Sequence, residues 1–230
     1  MKLTVLGNNG PYPSKGGATS GYLLEFDDRL FLLDCGSGVF SNLLRHVQPE
    51  NLTAIIISHL HFDHVSDLGV LSYYFSSKGL KTRMKLFLPD TNPFIEQIIN
   101  SNVFDVEFYS EEKFNFEGVT ATEVVHPVKS FALTFYGDKV FTYTGDTNFC
   151  SQVERLFEKS DVLLCDSCFL QSQWAQAKPH MSVLGICKLA QKYDKKVILS
   201  HLNPQTDIEE YSSEAFGKFE LAKINQEIKL

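Results

Sequence analysis

The stretch Ser58–Asp67, SHLHFDHVSD, holds three histidines and two aspartates and follows directly on the apolar run AIII at residues 54–57. A short, fully apolar run of this kind reads as a buried strand. The chain therefore leaves a buried strand at the residues most able to hold a metal, and a loop there can fan His59, His61, Asp63 and His64 around one point. A polar turn with a helix cap at Ser66 accounts for one or two of these side chains and leaves three crowded imidazoles unexplained. Without a cation such imidazoles repel one another on protonation. The pattern predicts a metal site at the end of this strand.

The rest of the chain reads as a folded α/β protein. With 230 residues it can enclose a substantial core, and 43% apolar against 21% charged residues is a globular rather than a disordered composition. One domain over residues 1–230 is the simplest organisation. No apolar stretch reaches membrane-spanning length, and MKLTVLGNNGPYP breaks into Gly and Pro too early for a signal-peptide core, so a cytoplasmic location without a membrane partner is expected. The five cysteines, at 35, 150, 165, 168 and 187, are an odd number in a chain without a secretory signal and are expected as reduced thiols. A net charge of −7 provides no overall field favouring nucleic acid.

Strands are predicted at residues 2–7, 21–26, 29–34, 52–58, 85–89, 105–110, 119–126, 131–137, 140–146, 161–166 and 196–202. Helical spacing marks 37–47, 66–77 with Ser66 as N-cap, 152–160, 182–193 and a C-terminal helix over 212–225. Two β-rich halves with helices between them suggest sheets packed on each other and covered outside by helices.

The remaining metal-capable residues fall at strand ends or helix starts. Of the seven histidines, His126 in VVHPV, His180 in KPHMS and His201 in LSHL occupy such places, and only His46 reads as an ordinary surface residue. Asp146 in YTGDT closes a strand, where a carboxylate could bridge two cations. Singly, each is better explained in an ordinary way, His126 as a strand-end surface residue, Asp146 as a turn former, His180 as a helix cap and His201 as a satisfied core histidine; together with the cluster they point to one site.

The HxHxDH pattern at His59, His61, Asp63 and His64 resembles the signature of the metallo-β-lactamase superfamily, and the resemblance runs along nearly the whole chain. It implies an αββα four-layer sandwich. It also implies one metal held by His59, His61 and His126, a second held by Asp63, His64 and His201, and Asp146 shared between them. Asp34 in LLDCGSG matches the buried aspartate that orients such a site by hydrogen bonding. The opening LGNNGPYPSKGGATSGYLLEF and the PHMS segment are similar to the ribonuclease Z-like branch. The long tRNA-gripping arm of those ribonucleases is missing after His126, where only residues 127–145 precede Asp146, so intact tRNA is not an expected substrate. A homodimer is an expectation from the same branch.

Two divalent cations, zinc by preference although these ligands also accept manganese or iron, would make a shared water a nucleophile near neutral pH. Asp63 would both ligate and orient that water, and His180, left over once the ligands are assigned, would donate to the transition state. The chemistry expected is hydrolysis of a small-molecule, nucleotide or nucleic-acid-type phosphodiester. A lactone or thioester hydrolase using the same metals is the alternative, with less need of His180. A flavin or di-iron oxidoreductase is disfavoured by the missing flavodoxin-like segment. The CxxC formed by Cys165 and Cys168 has no second pair and is assigned no role.

Overall fold

A computed structural model describes residues 1–79 and 83–230. Its strands form two mixed sheets. In the first, the spatial order is β14(Glu227–Lys229), β1(Lys2–Gly7), β2(Gly21–Phe26), β3(Arg29–Leu33), β4(Ala54–Ile56), β5(Met84–Leu88), β6(Phe104–Phe108). In the second it is β13(Phe219–Leu221), β12(Lys196–Ser200), β11(Val162–Asp166), β10(Val140–Tyr143), β9(Ser130–Tyr136), β8(Val119–Val124), β7(Asn115–Phe116). Strands β3 to β6 run parallel, as do β10 to β13.

The period of two along each strand explains the layering. On β3, Phe31 and Leu33 face the second sheet while Leu32 faces outward; on β4, Ala54 and Ile56 face inward and Ile55 outward. The inner faces meet in one aromatic-rich core, where Phe135 of the second sheet packs against Phe26 and Phe31 of the first at ring separations of 5.8 and 5.6 Å. Outward residues of the first sheet are covered by α1(Val39–Leu43), α2(Phe62–Lys78) and α3(Pro93–Asn100). Those of the second are covered by α4(Ser151–Lys159), α5(Val183–Tyr193) and α6(Ile208–Glu214). Both faces of both sheets are thus buried, which is why the central strands are apolar throughout. The result is the αββα sandwich, and no described helix is long and apolar enough to cross a membrane.

Two expectations are corrected. The C-terminal helix expected over 212–225 is not formed. Asp207 and Glu210 make a capping box that starts α6 earlier, and Gly217, in the left-handed region at φ 81°, turns the chain so that β13 pairs with β12 and β14 with β1. Ser66 is not an N-cap either. The helix begins at Phe62 with extended His61 before it, and the Ser66 hydroxyl donates back to the Phe62 carbonyl inside the first turns. Asp63 and His64 consequently sit on a helical turn rather than in a loop. All five cysteines are free thiols.

Candidate metal centre

Every residue of the cluster except His180, which sits on the connection before α5, comes from the carboxyl end of a strand. Asp34 follows β3, the residues 58–64 follow β4, His126 follows β8, Asp146 follows β10, Asp166 closes β11 and His201 follows β12. Because these strands share a direction within each sheet and the sheets face one another, their ends converge on one edge of the sandwich. The eight residues expected from sequence, His59, His61, Asp63, His64, His126, Asp146, His180 and His201, all meet there, while His46 is exposed and bonded to Asn225.

The hub is Asp146 Oδ2. It lies 3.2 Å from His201 Nε2, 3.3 Å from His64 Nε2, 3.5 Å from His59 Nε2 and 4.0 Å from His126 Nε2. On one side His61 Nδ1 approaches His59 Nε2 at 3.1 Å and His126 Nε2 at 3.0 Å. Opposite, Asp63 Oδ2 stands 3.2 Å from His201 Nε2 and 3.6 Å from His64 Nε2. Two groups result, His59–His61–His126–Asp146 and Asp63–His64–Asp146–His201, each with ligand atoms within 4.8 Å of one another.

Three imidazole nitrogens aimed at one point cannot all be satisfied by sharing hydrogens, since each neutral ring donates from only one nitrogen. His64 Nε2, which faces the hub, is buried without a hydrogen-bond partner; His201 Nδ1 is also unpartnered but lies on the far side of its ring, 3.4 Å from Asp166 Oδ1. Burial, followed by the neighbouring His64, holds His59 well below the usual imidazole range, and burial brings His126 down to about 4. These rings are therefore neutral, the form that ligates a cation. At Asp146 burial opposes charge, but the surrounding His201, His64 and His59 outweigh it and hold the carboxyl well below the ordinary range. At His64 burial opposes the charged form, but Asp146 and Asp34 push the pKa up to about 10, so a cation held at Nε2 would take the place of a proton. Mixed imidazole and carboxylate donors around unpaired buried nitrogens fit borderline divalent cations such as zinc, manganese or iron.

The far nitrogens of His64 and His126 are anchored. Asp34, at φ 57°, accepts from His64 Nδ1 at 2.7 Å, from Ser58 N and Oγ at 2.7 and 2.8 Å, and from the Tyr143 hydroxyl at 2.6 Å. One carboxylate thereby ties the first sheet's strand ends to a tyrosine of the second and fixes the His64 tautomer. His126 Nδ1 donates to the Pro179 carbonyl at 3.1 Å. Gly10 closes over His201: a Cβ there would come within 2.0 Å of the imidazole, so only glycine lets the 8–17 loop pass. Changing Asp34 to Asn is expected to weaken cation binding by about 10- to 100-fold while the chain still folds. A metal titration followed calorimetrically checks this, and unchanged affinity would remove Asp34 from the support of the site.

One residue of the cluster was missed by sequence reasoning. Asp166 accepts from His180 Nδ1 at 2.7 Å and from the Thr147 amide at 3.0 Å, and its other oxygen lies 3.4 Å from His201 Nδ1. Burial opposes the charged form of His180, but Asp166 and then Asp146 outweigh it and raise the pKa. The signal was present in LLCDSC, where an aspartate closes a buried strand as Asp34 and Asp146 do, beside the more conspicuous cysteines. Cys165 packs into the outer core, whereas the Cys168 sulfur belongs to a group with His180 and His201 within 4.8 Å.

This geometry has relatives. Over 217 residues the chain is 29% identical to the probable metallo-hydrolase YhfI of Bacillus subtilis, a match covering 88% of this chain and 87% of YhfI. The crystal structure of YhfI superimposes with a TM-score of 0.89 at 25% identity, over 99% of this chain and 98% of that one. A ribonuclease Z of Methanococcus maripaludis is 33% identical over 150 residues, covering 59% of this chain and 48% of the ribonuclease. The short form of human tRNase Z shares the fold, with a TM-score of 0.80 at 19% identity over 100% of this chain and 99% of that one. Residues 29–202 match the family described as the beta-lactamase superfamily domain, a span that carries most of the strand ends described above. The chain therefore belongs to the beta-lactamase superfamily, and its architecture is the metallo-β-lactamase fold.

Proposed function

We propose that this metal-dependent hydrolase, acting as one domain over residues 1–230, is a dinuclear phosphodiesterase for nucleotide or nucleic-acid-type diesters. His59, His61 and His126 would hold one cation, Asp63, His64 and His201 the other, with Asp146 shared and zinc the preferred metal. When bound, the cations supply positive charge that makes water acidic enough to attack near neutral pH and that offsets charge developing on a phosphoryl oxygen.

The observation that carries the phosphodiester reading is the state of His180. Its Nδ1 is taken by Asp166 at 2.7 Å, no described residue takes its Nε2, and its side chain keeps 11% exposure beside the hub. Held in this way, the ring presents Nε2 to a bound substrate, able to donate to a phosphoryl or leaving oxygen. Asp63, in the first turn of α2 and on the second group, would orient the attacking water from its own carboxylate. Similarity to a ribonuclease Z supports cleavage of a phosphodiester.

Between His126 and Asp146 the chain forms β9 and β10 with only residues 137–139 between them, so no arm projects from that place. Small diesters or nucleic-acid ends are therefore favoured over intact precursor tRNA. A screen of the metal-loaded protein on a dinucleoside monophosphate, a phosphomonoester, a lactone, a thioester and precursor tRNA tests the reading. Turnover is expected on the dinucleotide and little on tRNA. Activity confined to the lactone or thioester would replace this proposal with carbonyl chemistry at the same metals.

A further inference from the structure

His180 reaches the site on a long irregular connection. Strand β11 ends at Asp166 and α5 begins at Val183, and residues 167–182 between them form no helix and no extended ladder. A segment of that length is placed only if something offsets the entropy of ordering it. One side chain supplies three of the hydrogen bonds that hold it. Asn148, buried two residues beyond Asp146, donates from Nδ2 to the carbonyls of Gln176 at 3.0 Å and Lys178 at 2.6 Å. Its Oδ1 accepts from the indole Nε1 of Trp174 at 3.0 Å and from the Phe149 amide at 2.7 Å. All the hydrogen-bonding capacity of the amide is used.

The same residue is tied to both walls of the site. Its backbone amide donates to the Val125 carbonyl at 3.1 Å, next to His126, and the His126 ring in turn donates to Pro179, the residue before His180. From Asp146 through Asn148 to Gln176 and Lys178, a short rigid path joins the hub to the segment that delivers His180. No other side chain of this size combines two donors with a two-lone-pair acceptor: aspartate would set a carboxylate against two carbonyls, and leucine would leave four groups unpaired.

We propose that Asn148 is a positioning residue that sets the height and angle of His180 over the metal centre, and this rests on the reading of His180 as the donor to the phosphodiester. Ring placement is then governed from outside the cluster, by an amide that touches neither cation nor substrate. A displacement of about 1 Å at a reacting group costs on the order of 10²-fold in rate, so a loosened segment slows the chemical step.

The test uses Asn148→Ala and Asn148→Asp in the full chain, assayed at saturating cation. Asn148→Asp keeps the acceptor facing Trp174 and removes the donors facing Gln176 and Lys178, and it carries the same kinetic readouts should Asn148→Ala not fold. For both, kcat on a dinucleoside monophosphate is expected to fall by on the order of 10²-fold with KM nearly unchanged. The loss on bis(p-nitrophenyl) phosphate, whose leaving group needs little protonation, should be smaller, and bound metal should be unchanged. Trp174 is the only tryptophan, so its emission should shift to the red in Asn148→Ala and stay in place in Asn148→Asp. Combining Asn148→Ala with His180→Ala should be no slower than His180→Ala alone, because a positioning effect vanishes with the group it positions. Wild-type kcat in both Asn148 variants beside a slow His180→Ala, or additive losses in the double variant, overturns the positioning role alone. Wild-type activity in His180→Ala overturns the phosphodiesterase reading and this inference with it.

Discussion

Asp146→Ala protein is expected to lose at least about 10³-fold in turnover of any phosphodiester and to retain less metal than the wild type, because cationic charge stabilisation amounts to several kcal/mol and each 1.4 kcal/mol is about tenfold. The reason is the place of one oxygen. Asp146 Oδ2 is within 4.0 Å of His59, His64, His126 and His201, and it is the only carboxylate common to both candidate groups. In the proposed arrangement, removing it would withdraw a ligand from each cation at once and leave His59, His61 and His126 without the carboxylate they share. Asp63→Ala removes a ligand from one group only, so it should abolish turnover while sparing more of the bound metal. Elemental analysis after gel filtration, alongside turnover, distinguishes the two variants. Full metal content and activity in Asp146→Ala would end the shared-ligand arrangement, and chelation of the wild type followed by reloading supplies the matching control.

The opening cluster of candidate residues was legible because its members are local. His59, His61, Asp63 and His64 share six positions after an apolar strand, and no ordinary turn needs that composition. His126, His180 and His201 were legible for a different reason. Histidine is scarce in this chain, seven in 230 residues, so its recurrence at strand ends carries weight that the 28 acidic residues do not. Asp166 was lost in that background. Nothing local marks it as the partner of His180, and the pair forms only when β11 and the segment after it are folded against β12.

The layered fold was legible from alternating and fully apolar strands, but the chain's end was not. Residues 212–225 carry an approximate helical period, yet β13 and β14 are three residues each and owe their existence to β12 and β1, partners far away in sequence. Short edge strands have almost no intrinsic signal, because their stability lies in cross-strand contacts rather than in propensity. The start of α2 was misplaced for a related reason: the residues of the histidine cluster look like loop because they are polar, although Asp63 in a first helical turn is favourably placed against the helix dipole.

His180→Ala should separate phosphodiester from carbonyl chemistry. With Nδ1 donated to Asp166 and Nε2 unclaimed by any described residue, the imidazole is aimed and free, and it lies 3.8 Å from the Asp146 hub without being needed to complete either principal group of ligands. Its loss is expected to lower kcat on a dinucleoside monophosphate by about 10²- to 10⁴-fold, the usual contribution of a positioned acid or base. Metal content should stay at the wild-type level, since no ligand position opens. An alkoxide leaving group depends on proton donation far more than a nitrophenolate, so the penalty should shrink on bis(p-nitrophenyl) phosphate and the variant should show a steeper dependence of rate on leaving-group pKa. Loss of metal together with activity would make His180 a ligand and the present division of the histidines wrong. An equal penalty on both diesters would assign the ring to the phosphoryl oxygen rather than to the leaving group, because stabilising charge on the former is indifferent to what departs.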